Sequence, residues 1–163
     1  GGSSKNLLKI ENQKQLNDFK NNDTEELHEY MIEEFIDGRE ITVGILENKI
    51  CGIMEIIFDS EIYDFKNKYQ TIAKHVLDPK LPENVKQKLK DISLKIHRAL
   101  NCKCISRLDF RYNTKSKELF LLEINTQPGL TQNSLLPEMA RSKGTDFLEL
   151  CEILLTYAEC EFL

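Results

Sequence analysis

Arg107, Asp109 and Arg111 alternate along one segment, and Glu123 and Asn125 alternate along a second. A strand repeats its facing every two residues, so each set shares one face. Leu108 and Phe110 then point the other way, into a core, as do Leu122 and Ile124. If the two segments pair, Asp109 approaches Glu123 and Asn125 across the strands. Two carboxylates and an amide would converge as hard oxygen ligands, a set that Mg²⁺ takes together with phosphate and water. The same alternation also suits the charged solvent face of a one-sided sheet. The next stretch favours a ligand site. Thr126-Gln127-Pro128-Gly129-Leu130-Thr131 puts a Pro-Gly turn at the strand end, with Asn133 and Ser134 beyond it. Small polar residues and a glycine let loop backbone approach a ligand closely.

These residues need elements to hold them. Residues 12–20 read as a short polar helix, and Tyr30–Ile36 is apolar enough for a strand. Asp37-Gly38 supplies a turn. Ile41–Leu46, a turn at Glu47-Asn48-Lys49, and Ile50–Phe58 form a hairpin of β-branched strands. Residues 59–70 read as an ordered loop in which Tyr63 packs. Val85, Leu89, Ile92, Ile96 and Leu100 recur at helical spacing, so 83–100 is an amphipathic helix stopped at Asn101. Its Lys86–Lys95 stretch is a solvated face, and His97 falls on its polar side. His75 falls in a loop, and His28 lies outside every motif. Cys104–Tyr112 and Leu119–Ile124 make the hairpin that carries the acids, joined through residues 113–117. Phe147, Leu150, Cys151, Leu154 and Ala158 mark a last helix capped by Thr145 or Asp146. The order of elements predicts an α+β fold with a mostly antiparallel sheet and flanking helices.

Composition narrows the function classes. The chain has 163 residues, 40% hydrophobic and 30% charged, which suits a globular protein with a real core. Lys plus Arg is 22 against 27 Asp plus Glu, a net charge of −5. Such a balance gives no pull toward nucleic acid or an anionic membrane surface. The apolar runs, such as that around Ile53–Phe58, are too short to span a bilayer. Five cysteines at irregular spacing make a poor disulfide framework, and Cys102-Lys103-Cys104 lacks partners for zinc. Reduced thiols point to the cytoplasm. The chain opens on Gly1-Gly2-Ser3-Ser4 without Met, which suits either a cloning remnant or a start inside a longer protein.

Three stretches together resemble the C-terminal part of the D-alanine:D-alanine ligases, members of the ATP-grasp family. They are Arg107-Leu-Asp109-Phe-Arg111, Leu121-Leu-Glu123-Ile-Asn125-Thr-Gln-Pro-Gly129-Leu-Thr, and Ser134-Leu-Leu-Pro137. Upstream, Ile32–Val43 resembles the family's adenine-binding strand and the turn after it. Phe58–Tyr69 resembles its mobile loop over the active site, and Gly2-Ser3-Ser4 its small-residue phosphate loop. The likeness runs through nearly the whole chain in order.

The resemblance implies an ATP-grasp fold, with residues 1–46 as the rest of the central lobe and 47–163 as the C-terminal lobe. It implies ATP as co-substrate and two Mg²⁺ (or Mn²⁺) ions on Asp109, Glu123 and Asn125. Arg107 would meet the acyl phosphate, and Ser3 would serve the phosphate loop. Glu33, Phe35 and Ile36 would contact adenine, Glu40 the ribose, and Lys68 the phosphates, with Tyr69 beside it. Gly129, Ser134 and Leu135 would contact the second D-alanine. The implied reaction joins two D-alanines for peptidoglycan through an acyl phosphate, in a homodimeric parent enzyme. Where the family's phosphate loop has a second glycine, Lys5-Asn6 stand here. The family's N-terminal domain is expected to lie outside this chain, leaving it inactive alone. The competing expectations are another ATP-grasp carboxylate–amine ligase, or a nucleotide-binding module without catalysis.

Overall fold

The computed structural model describes residues 8–22, 30–58 and 73–159. They belong to two units, one of Gly1–Phe35 with Asp59–Ile72 and the other of Ile36–Phe58 with Ala73–Leu163. The expectations for Ser3, His28, Tyr63, Lys68, Tyr69 and the 59–70 loop fall outside the described residues. The lobe boundary expected after residue 46 coincides with a tight turn inside the second unit.

In the first unit, α1 spans Gln13–Asn22. Asn12 caps it: its Oδ1 accepts from the Gln15 amide at 2.9 Å, satisfying a donor that the helix itself cannot. The Phe19 ring meets Tyr30 edge to face, 5.1 Å between centroids. The strand expected at Tyr30–Ile36 is not formed. Met31 and Ile32 are 82% and 92% exposed, and no described strand pairs with the segment. Apolar composition favours a strand only where a neighbour takes up its N–H and C=O groups.

The second unit is built on a five-stranded sheet. Its strands are β1 (Arg39–Leu46), β2 (Lys49–Ile57), β3 (Lys74–Leu77), β4 (Ile105–Asn113) and β5 (Glu118–Asn125). They lie in the order β3-β2-β1-β4-β5, with every pairing antiparallel. Glu47 and Asn48 join β1 to β2 with φ of 51° and 60°, the doubly left-handed turn that matches strand twist. The helices are α2 (Glu83–Ala99), α3 (Leu135–Ser142) and α4 (Phe147–Thr156). The α+β arrangement is therefore the expected one. Among the described residues no helix is long and apolar enough to cross a membrane.

One face of the sheet packs on α2. Ile41, Val43, Ile45, Ile53, Leu108, Phe110 and Tyr112 form a core there with Val85 and Leu89. The stripe of α2 does not continue as expected. Ser93 and His97 follow Val85 and Leu89 inward at four-residue steps, whereas Leu100 is 56% exposed. His97 is thus fully buried, not on a polar side, and its Nδ1 lies 2.7 Å from Ser106 Oγ. Burial, helped by the charge of Arg98, holds its pKa below the ordinary histidine value. Asn101, with φ of 51°, follows the helix end in the left-handed conformation.

The opposite face carries the second core, where Leu46, Cys51 and Met54 meet Leu136, Met139 and Ala140 of α3 and Leu150 of α4. Gly44 and Gly52 are Cα partners and form a notch in that face. A Cβ on Gly44 would lie 2.9 Å from Met139 Cε, and one on Gly52 only 2.7 Å from Met139 Cβ. The missing side chains let α3 sit against the strands. Helix α3 was not foreseen, because Pro137 masks its pattern. The proline stands in the first turn, where its absent N–H has no intrahelical role. Strand β3 was not foreseen either, and it moves His75 from the expected loop onto the sheet. His75 Nδ1 there lies 2.7 Å from Glu138 Oε2 on α3. Asp146 caps α4 by accepting from the Glu149 amide at 2.9 Å, as expected.

Strand β5 holds a further departure. Its register skips at Leu122, which has no Cα partner between Glu123 and Leu121 and is 51% exposed. The bulge lets Leu119 and Ile124, five positions apart, pack on the same core. Leu122 is therefore not an inward partner of Ile124.

Two outcomes test this packing. Gly52→Ala overpacks the notch and should cost about 1–3 kcal/mol in urea unfolding. The loss should shrink when Met139→Ala is combined with it. His97 binds its proton more weakly folded than unfolded, so its contribution is complete above about pH 6.5 and is lost as pH falls toward the folded value. Unfolding free energy should fall less steeply between pH 7 and 5 in His97→Asn; parallel slopes would contradict this.

Candidate functional site

The pairing of β4 with both neighbours builds the site. Thr42 on β1 is the Cα partner of Asp109, Glu40 of Arg111, and Gly44 of Arg107. On the other side, Glu123 of β5 partners Asp109 and Asn125 partners Arg107. The alternation of β4 runs half-buried and buried in turn, with Arg107, Asp109 and Arg111 on the half-buried side. Three adjacent strands therefore bring a hydroxyl from β1, a guanidinium from β4 itself, and an amide and a second acid from β5 around one carboxylate.

Asp109 is the centre of this network. Its Oδ1 accepts from Thr42 Oγ1 at 2.7 Å and from Arg107 Nε at 2.9 Å. Its Oδ2 accepts from Arg107 Nη2 at 2.7 Å and from Asn125 Nδ2 at 3.2 Å. Asn125 Nδ2 also donates to Glu123 Oε1 at 3.0 Å. The amide thus lies between two carboxylates that would otherwise repel. The Arg107 and Asp109 side chains are only 18% and 16% exposed, so the forked pair is poorly screened. Burial by itself would lower the Arg107 pKa. Its hydrogen bond to Asp109 and the charges of Asp109, Glu123 and Glu40 outweigh that and hold it above the ordinary value. Arg107 is a permanent cation. Next to it on the ladder, Arg111 Nη2 pairs with Glu40 Oε2 at 3.1 Å and Nη1 donates to the Gly38 carbonyl at 2.9 Å.

The loop after β5 brings Gly129 to Ser134. A Cβ on Gly129 would come within 3.1 Å of Ser134 Oγ. Ser134 precedes α3 but does not cap it with its side chain. Its Oγ instead accepts from the Thr131 amide at 3.1 Å and lies 2.8 Å from Thr131 Oγ1. Leu135 opens α3, half-buried beside the second core. The second unit thus holds Ile36, Glu40, Arg107, Asp109, Glu123, Asn125, Gly129, Ser134 and Leu135. Glu33 and Phe35 are exposed residues of the first unit, and Lys9 Nζ stands 4.2 Å over the Phe35 ring.

Thr42 is the contact that sequence reasoning missed. It lies 67 positions from Asp109, and spacing within one segment carries no trace of that pairing. The donor set suits a hard divalent cation: two carboxylates, and an amide that can turn its oxygen to the ion in place of the Nδ2 it directs at them here. Among the described residues no group of three or more His, Cys, Asp or Glu is placed to hold a metal.

Comparison with known proteins adds to this geometry. A family model described as D-ala D-ala ligase C-terminus matches residues 1–156. The chain is 45% identical over 127 residues to a D-alanine--D-alanine ligase of the Wolbachia of Brugia malayi, covering 77% of this chain and 38% of that protein. It is 38% identical over 156 residues to the ligase of Wolbachia pipientis wMel, covering 94% of this chain and 50% of that protein. Among solved structures, the D-alanine--D-alanine ligase from Bacillus anthracis complexed with ATP superposes with a TM-score of 0.62 at 30% identity. That match covers 77% of this chain and 39% of the Bacillus chain. The chain thus spans half or less of the length of these relatives.

Replacing the amide by a third acid tests the electrostatics. Asn125→Asp should destabilise the chain by about 1 kcal/mol in EDTA, from a lost donor and added repulsion. Millimolar Mg²⁺ should recover most of the loss in thermal unfolding; no deficit in EDTA would contradict the bridging role of the amide.

Proposed function

The chain belongs to the D-ala D-ala ligase C-terminus family, and on that footing we propose that it serves an ATP-dependent ligation of two D-alanines. Its five-stranded antiparallel sheet with flanking helices has the α+β ATP-grasp fold of the ligases it superposes on. The observation that carries the proposal is the network of Arg107, Asp109, Glu123 and Asn125 on two adjacent strands.

The reaction has two displacements. A carboxylate oxygen of the first D-alanine attacks the γ-phosphorus of ATP, and the bond to the bridging oxygen breaks as ADP leaves. The amine of the second D-alanine then attacks the carbonyl carbon of the acyl phosphate. Inorganic phosphate departs, the amine nitrogen gives up a proton, and D-alanyl-D-alanine remains. Such transfers depend on positioning and on stabilising charge. Arg107 supplies a fixed positive charge for the acyl phosphate. Asp109, Glu123 and Asn125 would hold Mg²⁺, two ions in our assignment, with Mn²⁺ as a substitute. When bound, the metal draws negative charge off the phosphates.

The other assignments rest on the family resemblance. Glu33, Phe35 and Ile36 contact adenine and Glu40 the ribose. Lys68 reaches the phosphates with Tyr69 beside it, and Ser3 belongs to the phosphate loop. Gly129, Ser134 and Leu135 contact the second D-alanine. The close approach of Gly129 to Ser134, where a side chain would crowd the hydroxyl, supports that last assignment. We place the protein in the cytoplasm. Among the described residues Cys51, Cys102, Cys104 and Cys151 are free thiols, which suits a reducing compartment.

Calorimetric titration tests the share of the work assigned to this chain. Mg-ATP should bind saturably, and Asp109→Asn should weaken it by about tenfold or more. In the full-length protein, ADP release should depend on D-alanine, and Asp109→Asn should lower kcat by about 10²–10³-fold. Equal affinity and equal turnover in Asp109→Asn would contradict the proposal.

A further inference from the structure

We propose that Thr42 is a positioning residue that sets which oxygen of Asp109 faces the divalent cation of Mg-ATP. This rests on the cation role proposed above for Asp109, Glu123 and Asn125. Thr42 is 0% exposed and sits between Ile41 and Val43, which are equally buried. Its Cα partner on β2 is Met54, whose side chain has no oxygen; two residues along β1 on either side stand Gly44, which has no side chain, and Glu40, which pairs with Arg111 at 3.1 Å. Its hydroxyl donates to Asp109 Oδ1 at 2.7 Å.

The torsion that turns a carboxylate is broad and two-fold, so an aspartate needs an outside hold to keep one oxygen in one place. Arg107 grips both oxygens, but through a long side chain with more rotatable bonds than a threonine has. Thr42 differs: it is β-branched, stiff at χ1 and anchored in the middle strand of the sheet. With Oδ1 tied to Thr42, Oδ2 is the oxygen turned toward Asn125 at 3.2 Å, and Asn125 in turn bonds Glu123. Oδ2 is therefore the atom presented on the side where the three ligands converge. A ligand already held in this way need not be ordered when the cation arrives, and hydrogen bonds behind metal ligands commonly act so.

The test uses Mn²⁺ with ATP, titrated into the chain and followed by loss of the free Mn²⁺ signal in electron paramagnetic resonance. Thr42→Val keeps the shape and removes the donor, and should weaken Mn²⁺-ATP binding by about 10–100-fold. Thr42→Ser keeps the hydroxyl and should restore most of the affinity. ATP binding in EDTA should be the same in all three proteins, which a general disturbance of the fold would not allow. Should Thr42→Val fail to fold by urea denaturation, Thr42→Cys, a weak donor of similar size, takes its place. Equal Mn²⁺-ATP affinity in Thr42→Val and the unsubstituted chain would overturn the proposal. So would equal weakening in Thr42→Val and Thr42→Ser, because the hydroxyl would then not matter. No Mn²⁺-ATP uptake by the unsubstituted chain would overturn the cation site itself, and this proposal with it.

Discussion

The register of β4 between β1 and β5 is the constraint on which the site depends. It sets Thr42 opposite Asp109 on one side and Glu123 opposite Asp109 on the other. A slip of one residue would turn Asp109 toward α2 and bring Leu108 or Phe110 to the polar face. The apolar side of the strand forbids that slip, because Leu108 and Phe110 are 0% and 1% exposed and fill the core beneath. Hydrophobic burial on one face thus fixes an electrostatic arrangement on the other. The polar groups gain from it in turn, since a poorly screened carboxylate with four donors is held more firmly than one in water.

Two irregularities adapt the sheet to that task. The paired glycines, Gly44 and Gly52, lower the surface under Met139, so α3 packs closely on the face that carries the acids. That packing fixes the start of α3 and with it Ser134 and Leu135. The bulge at Leu122 lets Glu123 and Asn125 keep to the site while Leu119 and Ile124 both reach the core. A regular strand could not serve both faces, because five positions is an odd separation.

Much of this was legible in the residues. The alternation of Arg107, Asp109 and Arg111, and of Glu123 and Asn125, is a local property, and the structure brings four of these five groups into one hydrogen-bonded cluster. The turn at Glu47-Asn48, the helix from Glu83 and the cap at Asp146 are local as well. What escaped depends on distant partners. Thr42 gains meaning only from a strand 67 positions away. His97 lies inward because the buried row of α2 continues through Ser93, a residue that hydrophobic spacing does not count. Strand β3 has four residues, too short for a pattern, and its His75 meets Glu138 only after α3 is in place. Tyr30–Ile36 shows the converse, an apolar run with no described strand to pair with.

The central claim is that Asp109 and Glu123 ligate a divalent cation bound with ATP. Pulsed electron paramagnetic resonance on Mn²⁺-ATP bound to the chain, with aspartate and glutamate carboxyls labelled with ¹³C, tests it most directly. The account predicts ¹³C couplings from the carboxylates alongside ³¹P couplings from the nucleotide, with the carboxylate signal reduced in Asp109→Asn. Bound Mn²⁺-ATP that shows phosphorus couplings and no carboxylate coupling would contradict it.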